Sequence, residues 1–258
     1  MRAAYSWMRN SLPAPVRGKL LLLKHYRKLL PIRRVYERHT GGRKGLEIGG
    51  PSSIFGAALP VYLKAGSIDG VNFSGSTVWE GSITSGRTFA YFPGRIGIQF
   101  ICDATDLSPI DSSDYDFVLS SNCLEHVANP IKALFEWKRV LLRGGALVLV
   151  LPNKASNFDH RRPFTSFEHI VDDYEKGTTE HDLTHLEEIL ALHDLSMDPP
   201  AGSLEAFKAR SLDNFDNRTL HHHVFEPETI AKMLCYAGFE VVATAQTRTD
   251  FFSLATKV

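Results

Sequence analysis

Two histidine-bearing stretches carry most of the reactive side chains in this chain. "SSNCLEHV" sets Glu125 beside His126, and "HHHVFEPE" opens with His221, His222 and His223. Histidine titrates near neutrality, so His126 is a candidate general base. In an extended strand His221 and His223 would share a face, with His222 on the other. His181 and His185 stand four apart, a spacing that suits zinc on a helix or a solvated face beside a cap at Thr184. "DHRRPF" sets His160, Arg161 and Arg162 together, and adjacent guanidiniums suit a carboxylate or phosphate on a substrate, or ion pairs with the acidic "VDDYE". A further candidate is the turn in "KGLEIGGPSSIF". There Gly49 and Gly50 let backbone approach a ligand, and Pro51 suits the first turn of a helix.

These residues need a scaffold, and the apolar pattern supplies one. "GLEIGG", Ser67 to Phe73, Ile96 to Ala104, Tyr115 to Asn122 and Gly144 to Asn153 read as five strands, several apolar on both faces. "NPIKALFEWKRVLL" between the last two has the spacing of an amphipathic helix. Such alternation implies an α/β, doubly wound, mostly parallel sheet covered on both sides. Ligands of such sheets bind beyond the carboxyl ends of the strands. Glu47 to Ser52, Asp103-Ala104, and Ser121-Asn122 with Glu125-His126 all fall there. G-x-G-x-x-G is absent, which disfavours a dinucleotide and favours a cofactor without phosphates. The carboxylate of Asp103 suits an adenine amino group, or the cap of a short helix.

Residues 155–223 break the pattern, holding eight of the eleven histidines. Capping-box patterns at Thr165-x-x-Glu168 and Thr184-x-x-Glu187 predict two short helices, and "MDPPAG" predicts a break. A helical insertion on the substrate side of the sheet is expected here. The sheet pattern resumes with a strand at "HHHVF", a helix ending at Gly238 and another strand.

Lys plus Arg and Asp plus Glu each total 29, yet ten of the basic residues and only one acid, Glu37, lie in the first 40. A basic N-terminal helical extension, 1–40, ahead of a catalytic domain, 41–258, is therefore expected. It suits packing on the acidic body or contact with a membrane surface, whereas the body lacks the basic charge that nucleic acid would require. Three scattered cysteines, no signal-peptide pattern and no long apolar run point to a cytoplasmic protein, peripheral to the inner membrane face at most.

Taken in order, "LEIGG", "CDATDL" and "YDFVLSSNCLEHVANPIKALFEWKRVLLRGGALVLVLPN" resemble the class I S-adenosylmethionine-dependent methyltransferases, with "HVFEPETIAKMLCYAGFEVV" matching their late helix and strand. The resemblance spans roughly residues 41–246. It implies a seven-stranded Rossmann-like sheet, methyl transfer, and S-adenosylmethionine held by Glu47, Gly49, Gly50, Pro51, Ser52, Asp103, Ala104, Ser121 and Asn122. An acid on the cofactor ribose is also implied, with Glu80 preferred over Asp69 and Asn72. The later glycines of the family's turn are replaced here by Pro51 and Ser53.

"DHRRPFTSFEHIVDDY" and "HDLTHLEEILALHD" look like a bacterial branch linked to surface-glycan assembly, which implies O-methylation of a sugar or glycan precursor, with His160, Arg161, Arg162 and His221 on the substrate. A quinone or lipid-linked acceptor, or a non-catalytic scaffold, are the alternatives. "NCLEHV" with "HVFE" is also similar to metal-dependent methyltransferases acting on the 2′-hydroxyl of small-RNA ends. That likeness implies a divalent metal on Glu125, His126 and His223, with Asn122 in place of a first glutamate.

Overall fold

A computed structural model describes residue 29 and residues 32–258. The basic extension therefore lies mostly outside the described residues. Its described end, residues 32–40, forms helix α1, whose Tyr36 is buried against the sheet.

From there the chain runs β1 (Lys44–Ile48), α2 (Ser53–Gly56), α3 (Val61–Lys64), β2 (Ser67–Asn72), a two-strand hairpin of β3 (Ser76–Thr77) and β4 (Gly81–Ser82), β5 (Gly86–Phe92), β6 (Arg95–Ile101) and β7 (Tyr115–Ser121). Helix α4 (Pro130–Val140) leads into β8 (Leu141–Pro152). Four helices follow: α5 (Phe167–Lys176), α6 (Leu186–Leu192), α7 (Leu204–Leu212) and α8 (Asn214–Asn217). Helix α9 (Pro227–Tyr236), β9 (Phe239–Gln246) and β10 (Asp250–Lys257) complete the chain.

The sheet has the order β5-β6-β2-β1-β7-β8-β10-β9. Strands β6, β2, β1, β7 and β8 are parallel, and β10 is antiparallel to both its neighbours. Eight strands stand where seven are expected. The addition is β5, which pairs antiparallel with β6 along an edge. Its buried residues alternate, Phe89 and Tyr91 inward with Thr88 and Ala90 outward, the mark of a strand wet on one face.

Each face has its own core. Helix α4 lays Ile131, Leu134, Trp137 and Val140 on one face, all fully buried with Leu46, Ile48 and Val118. Tyr36, Phe55, Tyr62, Phe89 and Phe117 fill the other. The helix starts where its sequence says: Asn129 caps it by accepting from the Lys132 N–H at 3.0 Å, and Pro130 takes the first turn. Trp137 then donates from Nε1 to the Ala104 carbonyl at 3.0 Å, so core packing also fixes the loop bearing Asp103.

Three local expectations are corrected. Helix α5 is capped by Ser166, whose hydroxyl accepts from the His169 N–H, one residue after Thr165. Helix α6 begins after His185 without a side-chain cap, because the Thr184 hydroxyl bonds back to Asp182. Residues 218–226 form no strand. Their backbone is tied instead to the turn after β7, where the Glu125 carbonyl accepts from the His222 N–H at 2.8 Å.

Candidate active site

The carboxyl ends of β1, β2, β6, β7 and β8 open into a cavity of about 570 Å³, a volume usual for small-molecule sites. It is lined by Gly49, Pro51, Ser52, Asn72, Trp79, Glu80, Asp103, Ala104, Ser121 and Asn122. Glu125, His126, Asn157, Phe158, Arg218 and His221 line it as well.

The glycine turn is shaped from behind. Gly49 adopts φ 78°, and a Cβ there would come within 2.8 Å of the Cys123 sulfur. A Cβ on Gly50 would strike the Glu47 carboxyl group at about 2.2 Å. Glu47 is fully buried beneath the turn, where its carboxyl group accepts from the Ser52 N–H at 2.9 Å and the Tyr62 hydroxyl at 2.6 Å. Burial pushes its pKa up to about 7 against those bonds. Glu47 and Gly50 are not among the residues lining the cavity, and they shape its turn from behind. Asp69 is likewise structural, accepting from the Ile98 N–H and the Tyr115 hydroxyl. Asn72 and Glu80 remain beside the cavity, Asn72 at the end of β2 with its amide donating to the Gly50 carbonyl.

Asp103 is tied down on both oxygens. One accepts from the backbone and hydroxyl of Thr105, each at 2.8 Å, and the other from Arg218 at 3.0 Å. Arg218 also reaches Glu180 at 3.3 Å, bridging the sheet to the connection between β8 and α9. Nothing in the residues around Arg218 singles it out from sequence. Asn122 turns the chain at φ 48°, a conformation asparagine tolerates better than most residues.

The reactive end is a convergence of Glu125, His126 and His221. One ligand atom from each lies within 4.8 Å of the others. The His126 Nδ1 donates to the Leu220 carbonyl at 3.1 Å, leaving Nε2 as a lone pair. Burial and the neighbouring His221 hold its pKa well below the usual value, so it is neutral. His221 pairs through Nδ1 with the buried Asp159 carboxylate at 2.5 Å. Burial opposes protonation of His221, but Asp159 and Glu125 outweigh it and raise its pKa. On Asp159 burial also works against charge, yet His221 and Arg162 hold its pKa down to about 2. Glu125 is 1% exposed, its Oε2 has no hydrogen-bond partner, and burial lifts its pKa to about 7.

The expected substrate cluster at "DHRR" is not on the cavity wall. His160 and Arg161 both contact Asp194, at 2.9 and 2.8 Å. Arg162 is 1% exposed and spent on Asp159, Glu188 and the carbonyls of His221 and His222. Its neighbour Asp159, not singled out by sequence, is the residue that orients His221. His223 does not join Glu125 and His126, because its ring is buried beside His169, Asp173 and His185. His181 stacks on Phe215 at 4.0 Å instead of pairing with His185.

Residues 56–149 match the family described as a methyltransferase domain. An uncharacterized protein of Methanocaldococcus jannaschii is 28% identical over 120 residues, 46% of this chain and 50% of that one. The chain thus spans about half the length of that relative. Among solved structures, a Bacillus halodurans protein designated a methyltransferase aligns with a TM-score of 0.50 at 13% identity, over 88% of this chain and 98% of its own. A Mesorhizobium loti S-adenosylmethionine-dependent methyltransferase aligns at 0.49 and 13%, over 89% and 98%. The chain thus carries a match to a methyltransferase domain over residues 56–149, and it shares its fold with the Bacillus halodurans structure. The lining suits a nucleoside cofactor such as S-adenosylmethionine: the cavity joins a turn too tight for a Cβ to a carboxylate at Asp103 and the amide of Asn72.

Proposed function

We propose that the protein transfers a methyl group to an oxygen of a small acceptor, a sugar or glycan-precursor hydroxyl, with His221 removing the proton. The Asp159–His221 pair at 2.5 Å, facing the cavity that Gly49 and Asp103 also line, is the observation that carries this reading. S-adenosylmethionine, when bound, supplies an electrophilic methyl group whose loss leaves a neutral thioether. Asp103 and Asn72 hold the nucleoside. His221 Nε2 accepts the hydroxyl proton as oxygen gains the methyl carbon, and Asp159 stabilises the imidazolium that results. Asp159 also fixes the tautomer, since Nδ1–H is committed to it. A neutral acceptor is favoured because Arg161, Arg162 and Arg218 are all engaged with carboxylates. Trp79 and Phe158 bring aromatic rings to the cavity wall, the kind of apolar surface against which a sugar packs.

A divalent metal is the second reading, with His221 in the place expected of His223. Both imidazoles give Nδ1 to fixed acceptors, and Glu125 Oε2 is buried without a partner. Glu125, His126 and His221 would hold the ion, which would acidify the acceptor hydroxyl.

Screening sugar acceptors with labelled S-adenosylmethionine tests both. Replacing His221 by Gln is expected to lower kcat about 10²–10⁴-fold while cofactor affinity stays within about twofold. Turnover untouched by H221Q would remove His221 as base. Loss on chelation, restored by Mg²⁺, Mn²⁺ or Zn²⁺, would favour the metal, and indifference to chelator would leave the imidazole alone.

A further inference from the structure

The second histidine cluster has a different composition and a different place in the fold. His169 and Asp173 lie one turn apart on α5 and so share a face. His185 immediately precedes α6, and His223 lies on the strap before α9. One nitrogen from each imidazole and one oxygen of Asp173 lie within 4.8 Å of one another. His169 Nε2 is 2.9 Å from His185 Nε2 and 3.2 Å from Asp173 Oδ2. A tetrahedral ion with metal–nitrogen bonds of ~2.0–2.1 Å sets its ligand atoms about 3.3 Å apart. Both separations lie within about 0.4 Å of that value.

Hydrogen bonding among the four groups alone leaves a deficit. A single proton between His169 and His185 satisfies both of those nitrogens. Asp173 Oδ2 and His223 Nδ1 nevertheless remain buried with no hydrogen-bond partner, and His223 is 1% exposed. An unpartnered buried carboxylate oxygen is costly, and a cation relieves that cost. The second oxygen of Asp173 is held by the Thr178 hydroxyl at 3.0 Å, and the His223 Nε2 contacts the Ala128 carbonyl at 3.2 Å. Such outer contacts orient metal-binding groups. Burial, with help from neighbouring histidines, keeps His185 and His223 neutral, with His185 down to about 4. Neutral imidazole is the ligating form.

We infer that His169, Asp173, His185 and His223 form a zinc site that fastens α5, the start of α6 and the strap before α9 to one another. Three imidazoles and one carboxylate are a borderline-soft donor set, suited to Zn²⁺ and poorly suited to Mg²⁺ or Ca²⁺. Four protein ligands close the tetrahedron, so the ion is structural, with no position left for substrate. It fixes His223, two residues from His221, and so holds the strap that lines the cavity.

The test is elemental analysis and chelator competition on the untagged full chain after dialysis. About one equivalent of zinc is expected, lost in the His169→Ala/His185→Ala double variant and kept in His126→Ala and His221→Gln. Adding Zn²⁺ to stripped protein is expected to raise Tm, since an ion bound only by the folded state stabilises it. Asp173→Asn, nearly isosteric, keeps the packing and is expected to weaken zinc retention by at least about tenfold. It therefore decides the matter if the double variant misfolds. Wild-type protein with no stoichiometric zinc and a Tm indifferent to Zn²⁺ would overturn the inference. So would zinc lost with His126 but retained without His169 and His185.

Discussion

His221 and His223 are two residues apart in one extended strap and serve different clusters. The cavity group, Glu125 with His126 and His221, has two of its nitrogens already committed and faces open space. The outer group of three histidines and Asp173 closes on itself, away from that cavity. The backbone explains the split. The His222 N–H donates to the Glu125 carbonyl, which pins the middle histidine and sends its neighbours to different surroundings. The same residue type is thus a base where a carboxylate orients it beside a cavity, and a ligand where other imidazoles and a carboxylate surround it.

The sharpest way to break this contrast is to remove the charge that distinguishes His221. Asp159→Asn keeps an oxygen for Arg162 but takes away the carboxylate beside Nδ1. A fall in kcat of about 10²–10⁴-fold is expected. The pH profile separates a positioning role from a merely structural one. His221 must be neutral to accept a proton, so activity rises with pH through its raised pKa. Losing Asp159 lowers that pKa, and the acidic limb of kcat/KM is expected to move to lower pH. A limb that stays in place while activity falls would show that Asp159 only packs.

A somewhat smaller effect, on stability, is expected from Arg162→Met. That guanidinium is buried with Asp159 at 3.1 Å and Glu188 at 2.9 Å, and it holds the carbonyls of His221 and His222. Removing the cation leaves the buried Asp159 carboxylate with only His221 opposite it. Breaking one side of a buried pair costs about 3–5 kcal/mol. At roughly 2–4 °C per kcal/mol for a chain of this size, Tm is expected to drop by about 6–20 °C. A thermal melt within about 2 °C of wild type would mean that the strap is held mainly by other contacts, zinc among them.

The two halves of the cavity were unequally legible in the sequence. Gly49, Asp103, Ser121 and Asn122 follow strands directly, so reading β1, β6 and β7 from apolar runs also placed them. Helix α4 carried its own cap and periodicity. Strand β5 escaped because its alternation is short and one face is wet. On the other half, Asp159 and His221 are 62 residues apart, and nothing local couples them. The histidine run invited a strand with His221 and His223 on one face, and the likeness of "HVFE" to metal-dependent methyltransferases put His223 where His221 sits. Ladder bonds were not available to that segment, so its period of two never applied. Arginine pairs also misled: the sequence offered Arg161 and Arg162 to a substrate, while the fold spends them on Asp194, Asp159 and Glu188.

The smallest predicted effect tests the cofactor half. Asp103 serves as an acceptor for the nucleoside only if its contact with Arg218 leaves a lone pair free. Oδ1 is filled by Thr105, and Oδ2 takes Arg218 at 3.0 Å with its second lone pair open. Asp103→Ala removes that acceptor and is expected to weaken S-adenosylmethionine binding about tenfold, or about 1.4 kcal/mol, in calorimetric titration. Arg218→Ala leaves the acceptor in place and frees Oδ2 completely, so affinity is expected to hold within about threefold or to rise. Equal losses in the two variants would assign Asp103 to anchoring Arg218. The adenine would then be recognised elsewhere in the cavity, and the contrast between a half built by strand ends and a half built by long-range ion pairs would fail.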